Sequence, residues 1–314
     1  MSDDRPVRIG TRGSALALWQ AHHVQAELIR HHPGLQVELE IISTEGDRIQ
    51  DRPLAEIGGK GLFVKAIEQH LLDGSVHIAV HSMKDLPAFG PPGLVIAATP
   101  PREDPRDALV GPAGATVATL PAGSRLGTGS LRRGALARRL NPGLEIVPIR
   151  GNVPTRVGKV DAGELDAVML AAAGLRRLGK GDRIVESLDP EVFCPAPAQG
   201  ILALQCREDD QRARTLLGAL ADDDATVAAT AERGFVQCLK AGCTVPMGCH
   251  ATRDGDQLVV HGLIVHPTGE PCYEARTTGP VDQAESLGRS LAQSLLDAGA
   301  AAVLAELGYG PAGA

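Results

Sequence analysis

The chain has 314 residues, a formal net charge of −7 and an ordinary hydrophobic share of 43%. This length predicts two or three domains, and the acidic balance argues against a general nucleic-acid-binding surface. Aromatic residues make up only 2% of the chain, so a base-stacking platform is not expected either. Clusters of arginine are therefore expected to be local sites on an acidic background.

The first 100 residues alternate strand and helix signals, which is typical of an α/β protein. Ser14 is a predicted N-cap for a helix with Ala21 and Leu28 on its apolar face, and the glycines of residues 58–61 precede a second helix. The predicted strands are residues 7–10, 36–43 and 94–98, together with the apolar run that starts at Val76 and ends at Ser82.

A proline-rich joint at residues 100–105 separates this region from a second one with the same alternation. In the second region, residues 125–127 are predicted to lead into a turn and residues 201–204 to return as a strand to the first region. The other predicted elements are helices at residues 131–140 and 154–163, strands at 145–149 and 166–170, and a second crossing segment at 195–198.

The pattern changes after about residue 222. A helix at residues 226–239 is followed by two predicted strands, 257–265 and 272–278, whose turn is typical of a hairpin. A long amphipathic helix from Ala284 follows, so this end is predicted to be a small α+β domain.

Asp85 ends the sequence His81-Ser82-Met83-Lys84-Asp85, directly after a predicted buried strand. Open α/β sheets hold their ligands at the carboxyl ends of strands, which favours a functional carboxylate. A salt bridge to Lys84 or a nearby arginine explains the same residue equally well.

Arginines recur at turns that follow predicted strands. One such turn, residues 127–133, resembles a helix N-terminus that binds anions through its free N–H groups. Because a guanidinium binds carboxylates through two parallel hydrogen bonds, the recurrence predicts a ligand with many carboxylates or phosphates. The arginines at these turns are Arg12, Arg132, Arg133, Arg150, Arg156, Arg176 and Arg177.

Cys243 lies in a predicted loop, marked by Gly242 and Pro246, whereas free cysteines are usually buried in the core. A thiol at an electropositive site would be nucleophilic. A Cys–His metal site is not predicted, because no Cys-x-x-Cys pair is present.

These residues belong to segments that closely resemble the porphobilinogen deaminases, also called hydroxymethylbilane synthases. The matching segments occur in order over nearly the whole chain. They are residues 11–20, 58–63, 79–87, 102–107, 127–133, 150–152, 199–200 and 242–246.

The resemblance implies two periplasmic-binding-protein-like lobes with mixed sheets, an active cleft between them, and a small C-terminal α+β domain. Lobe 1 would comprise residues 1–100 with 200–220, lobe 2 residues 101–199, and the cofactor-attachment domain residues 221–314. A cytoplasmic monomer is expected, with no nucleic-acid or membrane partner.

The implied activity is the head-to-tail polymerisation of four porphobilinogen molecules with loss of ammonia. The growing chain would be held on a dipyrromethane cofactor joined to Cys243 by a thioether, and water would release hydroxymethylbilane. Asp85 would stabilise the cationic azafulvene intermediates.

The other implied roles concern binding of acetate and propionate groups. Expected around the cofactor are Ser82, Lys84, Thr128, Ser130, Arg132, Arg133 and Arg156. Expected around the substrate are Arg12, Ser14, Arg150, Arg177 and the hinge residue Gln199.

Four positions depart from the family pattern. Glu45 stands where arginine is expected, Gly129 where serine is common, Ala198 where glycine is expected and Gln205 where an acid is expected. These departures concern rate and hinge motion rather than the presence of activity.

Two other classes of protein remain open from the residues alone. A non-catalytic two-lobed anion-binding protein would use the same arginines, and Cys243 with its extra domain argues against it. A Cys–His acyl-transfer enzyme using Cys243 and His250 would leave the arginines unexplained.

Overall fold

The computed structural model describes residues 5–43, 61–240 and 245–309, with residues 61–63 described by their backbone alone. The predicted glycine segment at residues 58–60, Glu45 and Cys243 lie outside the described residues. Among the described residues, no helix is both long and apolar enough to cross a membrane.

The strands and helices are as follows in chain order. The strands are β1 (Val7–Thr11), β2 (Val37–Ile41), β3 (Ile78–Ser82), β4 (Leu94–Ala98), β5 (Asp107–Val110), β6 (Arg125–Gly127), β7 (Glu145–Val147), β8 (Ala167–Ala171), β9 (Glu186–Ser187), β10 (Leu202–Arg207), β11 (Met247–Asp254), β12 (Gln257–Val265) and β13 (Cys272–Pro280). The helices are α1 (Ala15–His31), α2 (Gly61–Leu72), α3 (Leu131–Leu140), α4 (Val153–Asp161), α5 (Ala172–Arg177), α6 (Gln211–Gly218), α7 (Asp223–Cys238), α8 (Ala284–Leu295) and α9 (Ala301–Glu306).

The chain divides into two compact units. The first comprises residues 1–102 with 201–226, and the second comprises residues 103–200 with 227–314. The second unit contains both the sheet of the expected lobe 2 and the antiparallel sheet of the expected C-terminal domain. The division into three domains stays a prediction.

A mixed sheet in the order β2-β1-β3-β10-β4 forms the centre of the first unit. Strands β1, β2 and β3 are parallel, whereas β10 runs antiparallel to both of its neighbours. The predicted return of residues 201–204 to the first region is therefore confirmed. Ile9, Leu28 and Leu204 are fully buried in the core that joins this sheet to α1 and α6.

The second unit contains a mixed sheet with the order β7-β6-β8-β5-β9. Here β5 is the antiparallel strand, inserted between β8 and β9. Residues 125–127, predicted to enter a turn, instead form β6, because their backbone pairs with β7 on one side and β8 on the other. Strand β5 was not predicted from the sequence.

The remaining strands form the antiparallel sheet β11-β12-β13. The predicted hairpin is confirmed, since β12 pairs with β13 from Gln257 opposite Pro280 to Val265 opposite Cys272. Helix α8 has Leu291 and Leu295 buried, as its apolar period predicted. The expected α/β class with a small C-terminal α+β part is confirmed.

Candidate functional site

The first set of predicted site residues lies at one edge of the first sheet. Strands β1 and β3 are neighbours and run parallel, with Ile9 opposite Ile78, so their carboxyl ends meet at the same edge. The structure brings together at this edge residues that end or directly follow the two strands, here called the first-edge group. They are Arg12, Ser14, Ser82, Lys84 and Asp85.

Hydrogen bonds fix the start of α1 against the end of β3. The Ser14 hydroxyl accepts from the backbone N–H of Ala17 at 3.3 Å, which confirms the predicted N-cap. One turn later, buried Gln20 donates from Nε2 to the Ser82 hydroxyl at 2.9 Å. The two hydroxyls of this group are thus held by helix α1.

Asp85 lies in a single 3₁₀ turn, Met83–Asp85, which directly follows β3. The N–H of Met83 donates to the carbonyl of Ile201 at 3.0 Å, and the N–H of Leu86 donates back to Met83 at 3.0 Å. Asp85 and Lys84 are half-buried. The turn therefore holds a partly shielded carboxylate at a fixed position on the sheet edge.

The second set lies at the corresponding edge of the second sheet. Strands β6, β7 and β8 are mutually parallel, so the segments that follow them start from one edge. The residues of these segments are here called the second-edge group. They are Thr128, Ser130, Arg132, Arg133, Arg150, Arg156 and Arg177.

The turn into α3 is closed by two hydroxyls. Ser130 accepts from the N–H of Arg133 at 3.4 Å, and Thr128 accepts from the N–H of Ser130 at 3.2 Å. A Cβ atom on Gly129 would lie 2.8 Å from the carbonyl oxygen of Ile149. A side chain at position 129 would therefore be too close to this carbonyl, which explains why glycine stands where serine is common in the family.

Arg132 and Arg133 share one buried carboxylate, that of Asp107 at the start of β5. Arg132 Nη1 donates to Oδ2 at 2.6 Å, and Arg133 Nε donates to Oδ1 at 2.7 Å. Asp107 is fully buried, and the two arginines are 3% and 7% exposed. The pair therefore belongs to an ionic cluster in the interior, rather than to the solvated surface.

The charges in this cluster determine the ionisation of Asp107. Burial alone would raise the pKa of Asp107, but the charges of Arg132 and Arg133 and the hydrogen bonds from Arg132 and Gln199 outweigh burial and hold it well below its usual range. Asp107 is therefore ionised at neutral pH.

The two arginines differ in the donors that remain. Arg133 also donates to the carbonyl of Met169 and to the side chain of Gln199. Arg132 uses Nη1 alone, for Asp107 and the carbonyl of Cys194; its Nε and Nη2 have no hydrogen-bond partner among the described residues. Arg132 thus keeps donors suited to a ligand carboxylate.

Gln199, the predicted hinge residue, is fully buried and connects this cluster to the proline-rich joint at residues 100–105. Its amide oxygen accepts from Arg133 at 3.1 Å, and its amide nitrogen donates to the carbonyl of Pro105 at 2.7 Å. Arg177 donates to the carbonyl of Gly200 at 2.7 Å. Burial lowers the pKa of Arg177 to about 10, against the opposing charge of Glu103, so it is still a cation at neutral pH.

The residue before Gln199 has an unusual backbone. Ala198 has a φ of 58°, in the left-handed region that favours glycine. Its N–H donates to the buried carboxylate of Glu232, which also accepts from the N–H of Ala251 at 2.8 Å. The expected glycine would fit this conformation without strain, and Ala198 is held there by Glu232.

The turn after β7 is held by hydrogen bonds between its backbone and the side chains of Asn152 and Arg156. Asn152 caps α4 by accepting from the N–H of Thr155 at 2.9 Å. Arg156 Nε donates to the carbonyl of Gly151 at 2.8 Å, which turns the guanidinium back towards the turn that contains Arg150. Both arginines are half-buried at the second sheet edge.

The cysteines that the structure describes are free thiols, at positions 194, 206, 238, 249 and 272. Burial raises the pKa of each of the four that lie at positions 194, 206, 238 and 272, so none of these four is an activated nucleophile. No cluster of three or more metal-ligating side chains is found within the described ranges. The position of Cys243 lies outside them.

Asp107 was not predicted from the sequence as a functional residue. It is part of a segment that matches the family, but its partners Arg132 and Arg133 lie about 25 residues away. A carboxylate at the start of a short apolar run after Pro105 was a signal, because a buried acid requires a partner.

The two edge groups lie in a part of the chain that matches a known protein family. Residues 7–215 match the model described as porphobilinogen deaminase, dipyromethane cofactor binding domain. Residues 226–297 match the model of the porphobilinogen deaminase C-terminal domain.

The chain belongs to the porphobilinogen deaminase family.

Curated relatives support the same family over almost the full length. Porphobilinogen deaminase from Syntrophotalea carbinolica is 50% identical over 305 residues, covering 97% of each chain. The enzyme from Syntrophobacter fumaroxidans is 48% identical over 304 residues, covering 97% of this chain and 98% of the relative. The resemblance found from the sequence is therefore confirmed, and so is the enzyme class, hydroxymethylbilane synthase.

Solved structures of binding proteins are also similar to part of this porphobilinogen deaminase family member. The methionine-binding protein MetQ is 13% identical, with a TM-score of 0.46, covering 73% of this chain and 96% of its own. The VFT2 domain of Bordetella pertussis BvgS is 17% identical, with a TM-score of 0.40, covering 73% and 94%. Similarity of this size concerns the overall fold alone.

The family assignment also identifies the cofactor. The matched N-terminal model is a dipyrromethane-binding domain, and both edge groups lie inside residues 7–215. The donor set fits such a group, because dipyrromethane carries carboxylates and the second-edge group is rich in guanidinium donors.

Proposed function

We propose that the chain joins four porphobilinogen molecules head to tail with loss of ammonia and then releases hydroxymethylbilane by hydrolysis. The dipyrromethane, attached through a thioether at Cys243, supplies the covalent primer on which the product is built. Family membership supports the overall reaction. The arrangement of charged residues at the two sheet edges supports the roles that follow.

The observation that carries this proposal is the gathering of arginines at the carboxyl edge of the second sheet. Each pyrrole unit brings an acetate and a propionate, so the ligand becomes more anionic as it lengthens. Arg132 has donors left for a carboxylate, and Arg150, Arg156 and Arg177 start from the same edge. Arginine suits this task because it stays charged and can bind a carboxylate through two bonds.

Asp107 and Gln199 would hold the guanidiniums of Arg132 and Arg133 in place before ligand arrives. Orientation by a buried carboxylate removes the need to order two long side chains on binding. Thr128 and Ser130 would add hydroxyl donors beside the same carboxylates. The hydrogen bonds that these hydroxyls accept from the backbone N–H groups of Ser130 and Arg133 fix the turn.

On the first sheet, Arg12, Lys84, Ser14 and Ser82 would bind further carboxylates around Asp85. Loss of ammonia from porphobilinogen leaves a cationic azafulvene, and Asp85 would stabilise this charge and accept hydrogen bonds from pyrrole N–H groups. A carboxylate already held in a short turn needs little reorganisation as charge develops.

We also propose that the enzyme acts as a cytoplasmic monomer, without nucleic acid or membrane as a partner. The net charge of −7 disfavours binding to nucleic acid. The described cysteines are free thiols, which suits a reducing compartment.

Mass spectrometry of the purified protein tests this function together with a product assay. The wild-type chain should weigh one dipyrromethane more than its sequence, give colour with an aldehyde reagent for pyrroles, and convert porphobilinogen to hydroxymethylbilane. The Cys243→Ser variant should lose the added mass and the activity, whereas Cys272→Ser should keep both. A wild-type mass equal to that of the bare chain, in protein produced with porphobilinogen present, would contradict the proposal.

A further inference from the structure

Three buried polar side chains in the first unit have no role in the function proposed so far. His81 lies on β3, Gln205 on the neighbouring β10 and Glu68 on α2; they are 7%, 3% and 7% exposed. His81 Nε2 is 3.1 Å from the amide oxygen of Gln205, and the amide nitrogen of Gln205 donates to Glu68 Oε1 at 3.3 Å. The three form a single hydrogen-bonded chain.

Gln205, between the other two side chains, determines which atoms donate and which accept in these hydrogen bonds. An ionised carboxylate only accepts, so Glu68 takes the amide N–H of Gln205. The amide oxygen then faces His81 and can only accept, so the proton of the imidazole must be on Nε2. Gln205 therefore selects one neutral tautomer of His81.

The charges around His81 act in opposite directions. Burial lowers the pKa of His81 to about 4, although the hydrogen bond to Gln205 and the charge of Asp85 both raise it. On α2, burial raises the pKa of Glu68, while the bond to Gln205 and the charge of Lys65 lower it. The strand β10 contributes only an uncharged amide to this interaction.

We propose that Gln205 is a positioning residue that fixes buried, neutral His81 as its Nε2–H tautomer and brings no charge to it, so that Asp85 is not offset by an imidazolium four residues away. This inference rests on the role proposed for Asp85. The family pattern has an acid at position 205, and a carboxylate there would favour the imidazolium. The protein thus has an uncharged amide bonded to His81, where the family pattern has an acid.

The isosteric change Gln205→Glu tests the charge state directly. Long-range ¹H–¹⁵N spectra of the full-length holoenzyme, labelled at histidine, report the tautomer and pKa of each imidazole; a His81→Gln variant assigns the signal. Wild-type His81 should stay neutral with the proton on Nε2 until about pH 4, and Gln205→Glu should raise its pKa by about two units or more. A wild-type imidazole that titrates near its ordinary value, about 6.5, would overturn the proposal.

The pH dependence of turnover tests the link to Asp85. The ratio of kcat for Gln205→Glu to kcat for wild type should fall several-fold from pH 8.5 to pH 5.5, as His81 of the variant becomes charged, with KM little changed. The surface variant Gln283→Glu adds the same charge and should give a flat ratio. A flat ratio for Gln205→Glu, with the pKa of His81 raised, would show that the imidazole does not act through Asp85.

These two measurements separate the inference from the proposed function. The spectra do not require turnover, so a failure of porphobilinogen conversion leaves the tautomer readable. A variant that is merely less stable would show a lower kcat at every pH and a lower Tm, which differs from a pH-dependent ratio.

Discussion

Asp107 and Arg132 form an ion pair of 2.6 Å in the interior of the second unit, with neither side chain more than 3% exposed. Arg133 bonds the other oxygen of the same carboxylate at 2.7 Å. One aspartate thus orients two adjacent arginines that are candidates for binding the cofactor. The candidate site therefore depends on a residue that binds no ligand in the proposed function.

Removal of the charge of Asp107 is expected to be costly. In an Asp107→Asn variant, two buried guanidiniums lose their counter-charge, and breaking a buried pair in this way costs about 3–5 kcal/mol. The free energy of unfolding, measured by urea denaturation, should fall by this amount. The matched change Asp166→Asn, at the more exposed pair with Arg125, should cost about 1 kcal/mol or less. Equal losses in the two variants would contradict the buried role of Asp107.

The same cluster predicts a dependence of stability on pH. The pKa of Asp107 is depressed in the folded state, so its contribution is fully present above its unfolded value of about 3.9 and is lost as pH falls through the folded value. The difference in unfolding free energy between wild type and Asp107→Asn should be constant from pH 5 to 7 and should shrink below about pH 4. Denaturation curves at pH 3 and pH 7 measure it. A difference of the same size at both values would be inconsistent with the ion pair.

The backbone of Ala198 predicts a stabilising substitution. A left-handed conformation costs an L-residue about 1–2 kcal/mol, and glycine avoids most of this although it gains entropy when unfolded. The Ala198→Gly variant should therefore unfold at a higher temperature, by about 2 °C. The control Ala302→Gly, in the exposed part of α9, should lower the unfolding temperature. A lower Tm for Ala198→Gly would show that the strain is absent.

The sequence predicted the elements whose signals are long and local. Helix α3 begins and ends where its cap and period predict, and the hairpin of β12 and β13 follows from alternation and its turn. The short strands β5, β6 and β9 escaped prediction because two to four residues carry no measurable period. Their pairing partners, which are distant in the chain, determine their structure. The longer strand β11, at Met247–Asp254, was also not predicted from the sequence.

The candidate site shows the same limit. The arginine turns could be predicted, because a strand followed by a capped helix is a local pattern. Two sets of contacts could not be predicted from the sequence. They are the hydrogen bonds of Arg132 and Arg133 to Asp107 and the hydrogen bond between Gln205 and His81. Each depends on strands that meet only in the folded sheet. Family resemblance supplied residue roles but not these contacts.

The most direct test of the role of Asp85 is the rate of hydroxymethylbilane formation by an Asp85→Asn variant whose cofactor content is verified by intact mass. The substitution removes the negative charge and keeps the size of the side chain, so we expect the dipyrromethane to be retained. The value of kcat should fall at least about 100-fold, since loss of one preorganised electrostatic contact commonly costs that much. The result that would contradict the account is a fully loaded Asp85→Asn enzyme that turns over porphobilinogen at close to the wild-type rate.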